Sequence, residues 1–418
     1  MTAVIVGLGY VGLPLAREAV LAGVPVIGYD VNQRTVDAIN GGVSHIDDIS
    51  DEHLDEMIGR GFRATSNPQE IAAAEFVVVC VPTPLDESGG PDLKYVTASM
   101  VTIAENLAKG ATVILESTTY PGTTEEVVQP IFSDRGHVLD SDYYLAFSPE
   151  RIDPGNKVFG AKNTPKVVGG VSNESSGKAE AFYRRFIDEV VMVSGAKEAE
   201  LAKLLENTYR HVNIALVNEM VKFCHELGIN FWDSIGAAAT KPFGFHAFYP
   251  GPGVGGHCIP IDPNYLSHSV SSKLGYPFRF VELAQEINNS MPKYVAGRIQ
   301  DALNRRKLAV NGAAVLLLGV TYKADIADQR ESPASPLGAI LSQLGARLSF
   351  HDPFVQHWSE VDPPLDRVES LEEAVSRADI VVLLQAHESY DFADIAHRAH
   401  SIIDTRNAFP DADNVEKL

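Results

Sequence analysis

At 418 residues the chain is too long for one ordinary hydrophobic core and predicts two or three domains. A formal charge of −21 excludes nucleic acid as an expected partner, since an acidic surface repels a phosphate backbone. No apolar run is long enough to span a bilayer, and residues 2–7 enter a strand directly rather than a leader segment, so a cytoplasmic protein without a membrane partner is expected. The three cysteines, Cys80, Cys224 and Cys258, have no CxxC spacing, which argues against a disulfide framework and a metal site.

Short Val- and Ile-rich runs at 3–6, 25–29, 76–81 and 112–116 alternate with helix-like stretches and predict a parallel sheet covered on both faces. Residues 143–147 and 166–169 are expected to be further strands that complete this domain. From Glu198 the pattern changes to helical spacing, with Leu201, Leu204, Leu205, Thr208, Val212, Ala215 and Leu216 on one stripe. Lys203, Asn207 and Arg210 fall nearly opposite it, and further along Ile214, Val217 and Val221 make that stripe apolar as well. Gly228 is the first stop. A helix apolar on most sides is buried between domains or between subunits. A loop rich in proline and glycine follows, Phe248-Tyr-Pro-Gly-Pro-Gly-Val-Gly-Gly-His-Cys258, then more helix to about 306. Runs at 314–319, 347–351, 380–384 and 401–404 predict a second, smaller sheet without a glycine fingerprint.

Gly7-Leu-Gly9-Tyr-Val-Gly12 sits between the first strand and a helix predicted at 11–22. Gly7 allows the tight turn, Gly9 lets backbone approach a pyrophosphate, and Gly12 lets helix and strand pack closely. Asp30 ends the second strand, where a carboxylate accepts from a ribose diol and repels a 2′-phosphate, favouring NAD over NADP. Tyr10, Val11 and Arg34 belong with this site. The competing reading is a plain βα turn with Asp30 as a surface residue.

Cys258 lies in the glycine-rich loop, whose openness would let a substrate reach a sulfur nucleophile, whereas Cys80 and Cys224 sit in apolar surroundings that suit packing. Packing remains an alternative for Cys258 too. His257 suits structure or substrate contact better than base catalysis. Asp262 could act on water or cap a helix. Lys203 and Asn207 share a stripe at i, i+4, which on a solvated face would mean nothing. Glu150, Thr83 and Thr118 follow predicted strand ends, where ligands sit on parallel sheets.

Together, the fingerprint, Val81-Pro-Thr-Pro84, Ser117-Thr118, Ser148-Pro-Glu150, Glu200-Leu-Ala-Lys-Leu-Leu-Glu-Asn207, Gly255-Gly-His-Cys258 and Tyr322-Lys-Ala-Asp-Ile-Ala-Asp-Gln-Arg-Glu-Ser332 resemble the UDP-glucose/GDP-mannose dehydrogenase family over essentially the whole chain. The resemblance implies an α/β fold with two Rossmann-like, doubly wound parallel-sheet domains: an NAD-binding domain at 1–195, a central helical dimerisation region carrying the Cys loop at 196–306, and a nucleotide-sugar-binding domain at 307–418. It implies Cys258 as nucleophile, Lys203 with Asn207 as the oxyanion site, Asp262 positioning water or that lysine, and Glu150 activating water with Thr118 nearby. Thr83 and Arg330 would serve the cofactor. Arg151, Arg210, Phe248, Tyr249, Gly253, Gly255 and Lys323 would meet the sugar nucleotide. The best-known UDP-glucose branch has an arginine reaching across the dimer from the segment upstream of the cysteine; here Thr240-Lys-Pro-Phe-Gly-Phe-His246 offers Lys241 or His246. That segment and Tyr249-Pro-Gly-Pro-Gly253 look closest to the UDP-N-acetylhexosamine branch, with UDP-glucose and dTDP-glucose as alternatives.

The expected reaction is an NAD-dependent four-electron oxidation at carbon six, in a homodimer. The competing readings are a two-electron dehydrogenase of hydroxy acids or sugar phosphates that does not need Cys258, and a non-enzymatic NAD-binding scaffold.

Overall fold

The computed structural model describes residues 2–46, 49–86, 90–152, 156, 158–256 and 259–418. Its first sheet is built from β1 (Ala3–Val6), β2 (Val26–Tyr29), β3 (Arg63–Thr65), β4 (Phe76–Val79), β5 (Ala111–Leu115), β6 (Tyr143–Phe147), β7 (Lys166–Gly170) and β8 (Val190–Met192), in the order β3-β2-β1-β4-β5-β6-β7-β8. The first six strands are parallel. Every residue of β1, β2, β4 and β5 is buried, as a sheet covered on both faces requires. The period of two divides the strands between two cores. Ile5 and Val78 pack with Leu15, Met57 and Phe182 on one face, while Val4, Val6, Val77 and Val79 pack with Met100 and Phe132 on the other.

β7 runs antiparallel to β6, with Ala146 opposite Gly170. Among the described residues no helix lies between these strands, so the chain doubles back instead of crossing over.

The second sheet comprises β9 (Ala314–Leu318), β10 (Arg347–His351), β13 (Ile380–Leu383), β14 (Ile402–Asp404) and β15 (Val415–Lys417), all parallel and ordered β10-β9-β13-β14-β15; β11 (His357–Trp358) and β12 (Leu365–Asp366) form a separate ribbon. In order of first appearance this is 2-1-3-4-5, with its switch point between β9 and β13. Met291, Val295, Ile299 and Leu303 of the helix Arg279–Arg305 pack on Val315 and Leu317, and Cys224 joins this core.

The chain forms two compact units, 1–206 with 264–276, and 207–263 with 277–418. The helix Ala196–Glu226, 31 residues long, starts in the first and continues in the second. The structure decides which of its stripes is wet. Lys203 and Asn207 are buried, whereas Leu201, Leu205, Tyr209, Leu216 and Phe223 are exposed. Sequence period locates stripes, but a helix apolar on most sides does not say which stripe meets the core. Among the described residues, no helix is long and apolar enough to cross a membrane.

Candidate active site

In the first unit, β1 delivers the chain into the glycine turn. Gly7 has φ +89°, and a Cβ there would lie 2.7 Å from the Cys80 carbonyl oxygen. A Cβ on Gly12 would lie 1.9 Å from the Gly7 oxygen. Both glycines are demanded by the protein's own packing. A Cβ on Gly9 would meet nothing within 4 Å, so the protein's own packing does not require glycine there and the space is open to a pyrophosphate. The following helix, Gly12–Leu21, has no side-chain cap and no acidic residue in its first turn, which suits an incoming pyrophosphate. Asp30 is pinned at the end of β2: its carboxylate accepts from the Leu8 N–H at 3.0 Å and the Asn32 N–H at 2.9 Å. Tyr10 is exposed, Val11 half-buried, and Arg34 exposed with its backbone N–H on Asn32 Oδ1. An open cradle at Gly9 beside a fixed carboxylate fits NAD.

The carboxyl ends of β4, β5 and β6 bring the next group to one edge of the sheet. Thr83 follows β4, and its carbonyl accepts from the hydroxyl of Tyr265, a fully buried residue of the helix Asp262–Leu274. Thr118 follows β5, half-buried after buried Ser117. Glu150 follows β6. Lys203, only 7 % exposed, donates to the Glu150 carbonyl at 2.6 Å and lies 3.5 Å from its carboxylate. Burial pushes the Glu150 carboxyl above the usual range, and Lys203 and Lys166 pull it part of the way back. A carboxyl raised toward neutrality is suited to proton transfer. A buried ammonium is suited to an oxygen that becomes negative. Arg151 is turned onto the protein, pairing with Glu206 at 2.8 Å and donating to the Pro165 carbonyl at 2.6 Å.

In the second unit, Asn207 donates to Asp262 at 2.6 Å, and both are buried. Arg210 and Lys241 are exposed, Lys241 standing over the Phe243 ring. His246 shares a 2.7 Å hydrogen bond with the Tyr209 hydroxyl; Phe248 meets the same Tyr209 edge-on, and Tyr249 stacks on Trp232. The glycines expected to admit substrate have a packing reason as well. A Cβ on Gly253 would sit 3.0 Å from Pro333, and one on Gly255 2.8 Å from the Glu331 oxygen. Lys323 lies in the loop after β9, at the switch point, where Gln385 from beyond β13 donates to the Tyr322 carbonyl at 2.7 Å. Arg330 is exposed and doubly bonded to Asp328. Cys258 and His257 lie outside the described residues.

Sequence reasoning passed over several buried polar residues. Lys166 pairs with Glu116 at 2.8 Å, and the Tyr183 hydroxyl also donates to Glu116. Glu200 accepts from the Gly122 N–H, the Thr124 N–H and the Thr124 hydroxyl. The available signal was a charged residue inside or beside an apolar strand, as at Glu116 directly after β5. Burial also pushes the Cys80 thiol well up, with Glu116 adding to it, which keeps that cysteine inert. Among the described residues no three His, Cys, Asp or Glu side chains converge as a metal site requires.

Comparison with known proteins agrees with this geometry. Residues 1–187 match the NAD binding domain of the UDP-glucose/GDP-mannose dehydrogenase family, residues 197–290 its central domain, and residues 316–411 its UDP binding domain. The chain is 34% identical over 393 residues to a UDP-N-acetyl-D-mannosamine dehydrogenase of Pyrococcus horikoshii, covering 93% of this chain and 90% of the relative. It is 36% identical over 416 residues to an NDP-N-acetyl-D-galactosaminuronic acid dehydrogenase of Ralstonia nicotianae, covering 96% and 95%. A solved structure of UDP-D-ManNAc dehydrogenase from Pyrococcus horikoshii superposes with a TM-score of 0.90 at 33% identity, covering 100% of this chain and 99% of that one. The glycine turn, the pinned Asp30 and these matches lead to one conclusion: the chain belongs to the UDP-glucose/GDP-mannose dehydrogenase family, as an NAD-dependent oxidoreductase of nucleotide sugars.

Proposed function

We propose that this dehydrogenase oxidises the carbon-six alcohol of a UDP-N-acetylhexosamine to the carboxylate, in two hydride steps and one hydrolysis on Cys258. The observation that carries the reading is the buried Lys203–Glu150 pair at the carboxyl edge of the NAD-binding sheet. A buried ion pair is weak evidence for stability, and this one sits at the strand ends where ligands bind on a parallel sheet. NAD, when bound, supplies the hydride acceptor. The alcohol loses a hydride and a proton to give an aldehyde. The Cys258 sulfur adds to the aldehyde carbon, forming a thiohemiacetal that cannot escape. Loss of a second hydride and proton leaves a thioester. Glu150 takes a proton from water, which adds to the thioester carbon. The C–S bond breaks, releasing the acid and restoring the thiol. Lys203 and Asn207 are assigned to the oxygen that turns negative in each tetrahedral species, Asp262 to positioning water or that lysine, and Thr118 to the nicotinamide and the catalytic water.

The substrate class rests on the relatives' names and on Thr240–Gly253. Arg151, Arg210, Lys241, His246, Phe248, Tyr249, Gly253, Gly255 and Lys323 are assigned to the sugar nucleotide, Arg330 and Thr83 to the cofactor side. Functionally the chain divides at 1–195, 196–306 and 307–418, and it works in the cytoplasm. It works as a homodimer: Leu201, Leu205, Tyr209, Leu216 and Phe223 recur at helical spacing as exposed apolar residues, a surface that a second copy would cover. Leu205→Glu should give a monomer in light scattering, and a wild-type monomer would refute the assembly.

A panel of nucleotide sugars tests the chemistry. With limiting substrate, about two NADH should form per sugar, as covalent retention of the aldehyde requires. Cys258→Ser should bind both ligands yet make no uronic acid, because a serine hydroxyl is a far poorer nucleophile than a thiolate. A yield of one NADH with free aldehyde or ketone would sink the proposal in favour of a two-electron dehydrogenase.

A further inference from the structure

Three buried polar side chains in the second unit are unused by the chemistry above. Asn218 and His211, on the helix Ala196–Glu226, are 0% exposed, and Asn288, on Arg279–Arg305, is 3% exposed. They form a chain. Asn218 Oδ1 accepts from the Gly251 N–H at 3.0 Å, Asn218 Nδ2 donates to Asn288 Oδ1 at 3.0 Å, and Asn288 Nδ2 lies 3.4 Å from the His211 carbonyl and 3.5 Å from its Nδ1. Each orientation forces the next. For Asn218 to present its oxygen to Gly251, its amide must face the Asn288 oxygen, which turns the Asn288 amide toward His211.

The segment this chain grips is otherwise set by close packing of its glycines on Pro333, Tyr322 and Glu331 and by the Tyr249 ring on Trp232. Residues 249–256 have no regular secondary structure. The glycines let the segment lie flat: a Cβ on Gly251 would sit 2.9 Å from Arg406, and Gly256, at φ +93°, donates to the Glu331 carbonyl at 3.2 Å. Asn218 accepts from the backbone N–H near one end of this stretch and Glu331 from the one near the other. Cys258 follows two residues later in sequence. Burying amides costs free energy unless each is satisfied, and leucine would fill the same space more cheaply.

We propose that Asn218, oriented by Asn288 and His211, is a positioning residue that holds Gly251 and so sets the approach of the segment bearing Cys258. The proposal rests on the reading of Cys258 as the nucleophile. It is tested in the full-length enzyme with two replacements of similar size. Asn218→Asp keeps an acceptor for the Gly251 N–H but buries a charge and loses the donor to Asn288 Oδ1. Asn218→Leu removes the acceptor but suits an apolar core. If Asn218 only packs, the leucine variant should be the more active and the more stable. If it positions the loop, the order of activity reverses: Asn218→Leu should lose about a hundredfold in kcat, the scale expected when reacting groups are misplaced by about an ångström. Asn218→Asp should stay within about tenfold of wild type. Dissociation constants for NAD and the sugar nucleotide should hold within about threefold in both. Wild-type kcat in Asn218→Leu, or a lower kcat in Asn218→Asp than in Asn218→Leu, overturns the proposal. Should the leucine variant not fold, Asn288→Ala carries the test, since it frees Asn218 without touching the loop; a several-fold fall in kcat is expected and an unchanged kcat refutes the positioning role. The two readings separate cleanly. An active Cys258→Ser enzyme removes the nucleophile itself, whereas an inactive Cys258→Ser beside a fully active Asn218→Leu removes only the positioning.

Discussion

Glu200 offers a direct reading of how burial is set against hydrogen bonding. Its side chain is 0% exposed and accepts from the Gly122 N–H at 2.6 Å, the Thr124 N–H at 2.9 Å and the Thr124 hydroxyl at 2.7 Å. All three partners are donors and favour the carboxylate, yet desolvation outweighs them and the carboxyl is pushed up from 4.5 to about 7. The folded chain therefore binds this proton more tightly than the unfolded chain does. Its stabilising share is complete below pH 4.5 and is lost as the pH rises through 7. The full span corresponds to roughly 3 kcal/mol, of which about 2 kcal/mol falls between pH 5.5 and 8. Glu200→Gln removes the titration. It also sets an amide N–H2 against a backbone or hydroxyl donor, costing about 1–3 kcal/mol at every pH. Urea unfolding of both proteins across pH 5.5 to 8 isolates the effect, because other titrating groups, His211 and Glu150 among them, cancel in the difference. The stability gap should narrow by about 2 kcal/mol as the pH rises. A gap constant with pH, or one that widens, would refute the reasoning.

The two fingerprint glycines should fail in different ways. Gly12→Ala should unfold or precipitate the protein, because its Cβ would lie 1.9 Å from a backbone oxygen; Gly9→Ala should keep the wild-type melting temperature and lose NAD affinity by calorimetry. Equal stability of the two variants would contradict the packing argument. Asp30→Ala should cost about 2 kcal/mol in kcat/KM for NAD through the lost charge-assisted ribose contact, should lower stability through the two lost bonds to the Leu8 and Asn32 N–H groups, and should narrow the preference over NADP at least about tenfold. An unchanged ratio would mean that the carboxylate plays no part in cofactor choice.

Legibility in the sequence followed the range of the forces involved. The glycine turn, the strand ends at Thr118 and Glu150 and the 31-residue helix depend on local backbone geometry and short apolar runs, and each could be read from neighbouring residues. β3, β8 and β15 could not, since these short strands at the ends of their sheets carry no run of buried apolar residues, unlike the equally short β14, and exist only because a sheet edge is there to pair with. The reversal at β7 likewise depends on how the chain returns, not on the composition of the strand. The family resemblance rested on residue types in order, but helical spacing alone left open whether Lys203 and Asn207 face water, because the helix has apolar residues on several sides. Only tertiary packing decided that they face inward while Leu201 and Leu205 face water. The same holds for Glu116 with Lys166 and for His211, Asn288 and Asn218, partners separated by 50 to 77 residues. A polar side chain carries no mark of its partner in sequence. The cost of leaving it unpaired arises only once the core closes around it, and that cost is what selects the arrangement.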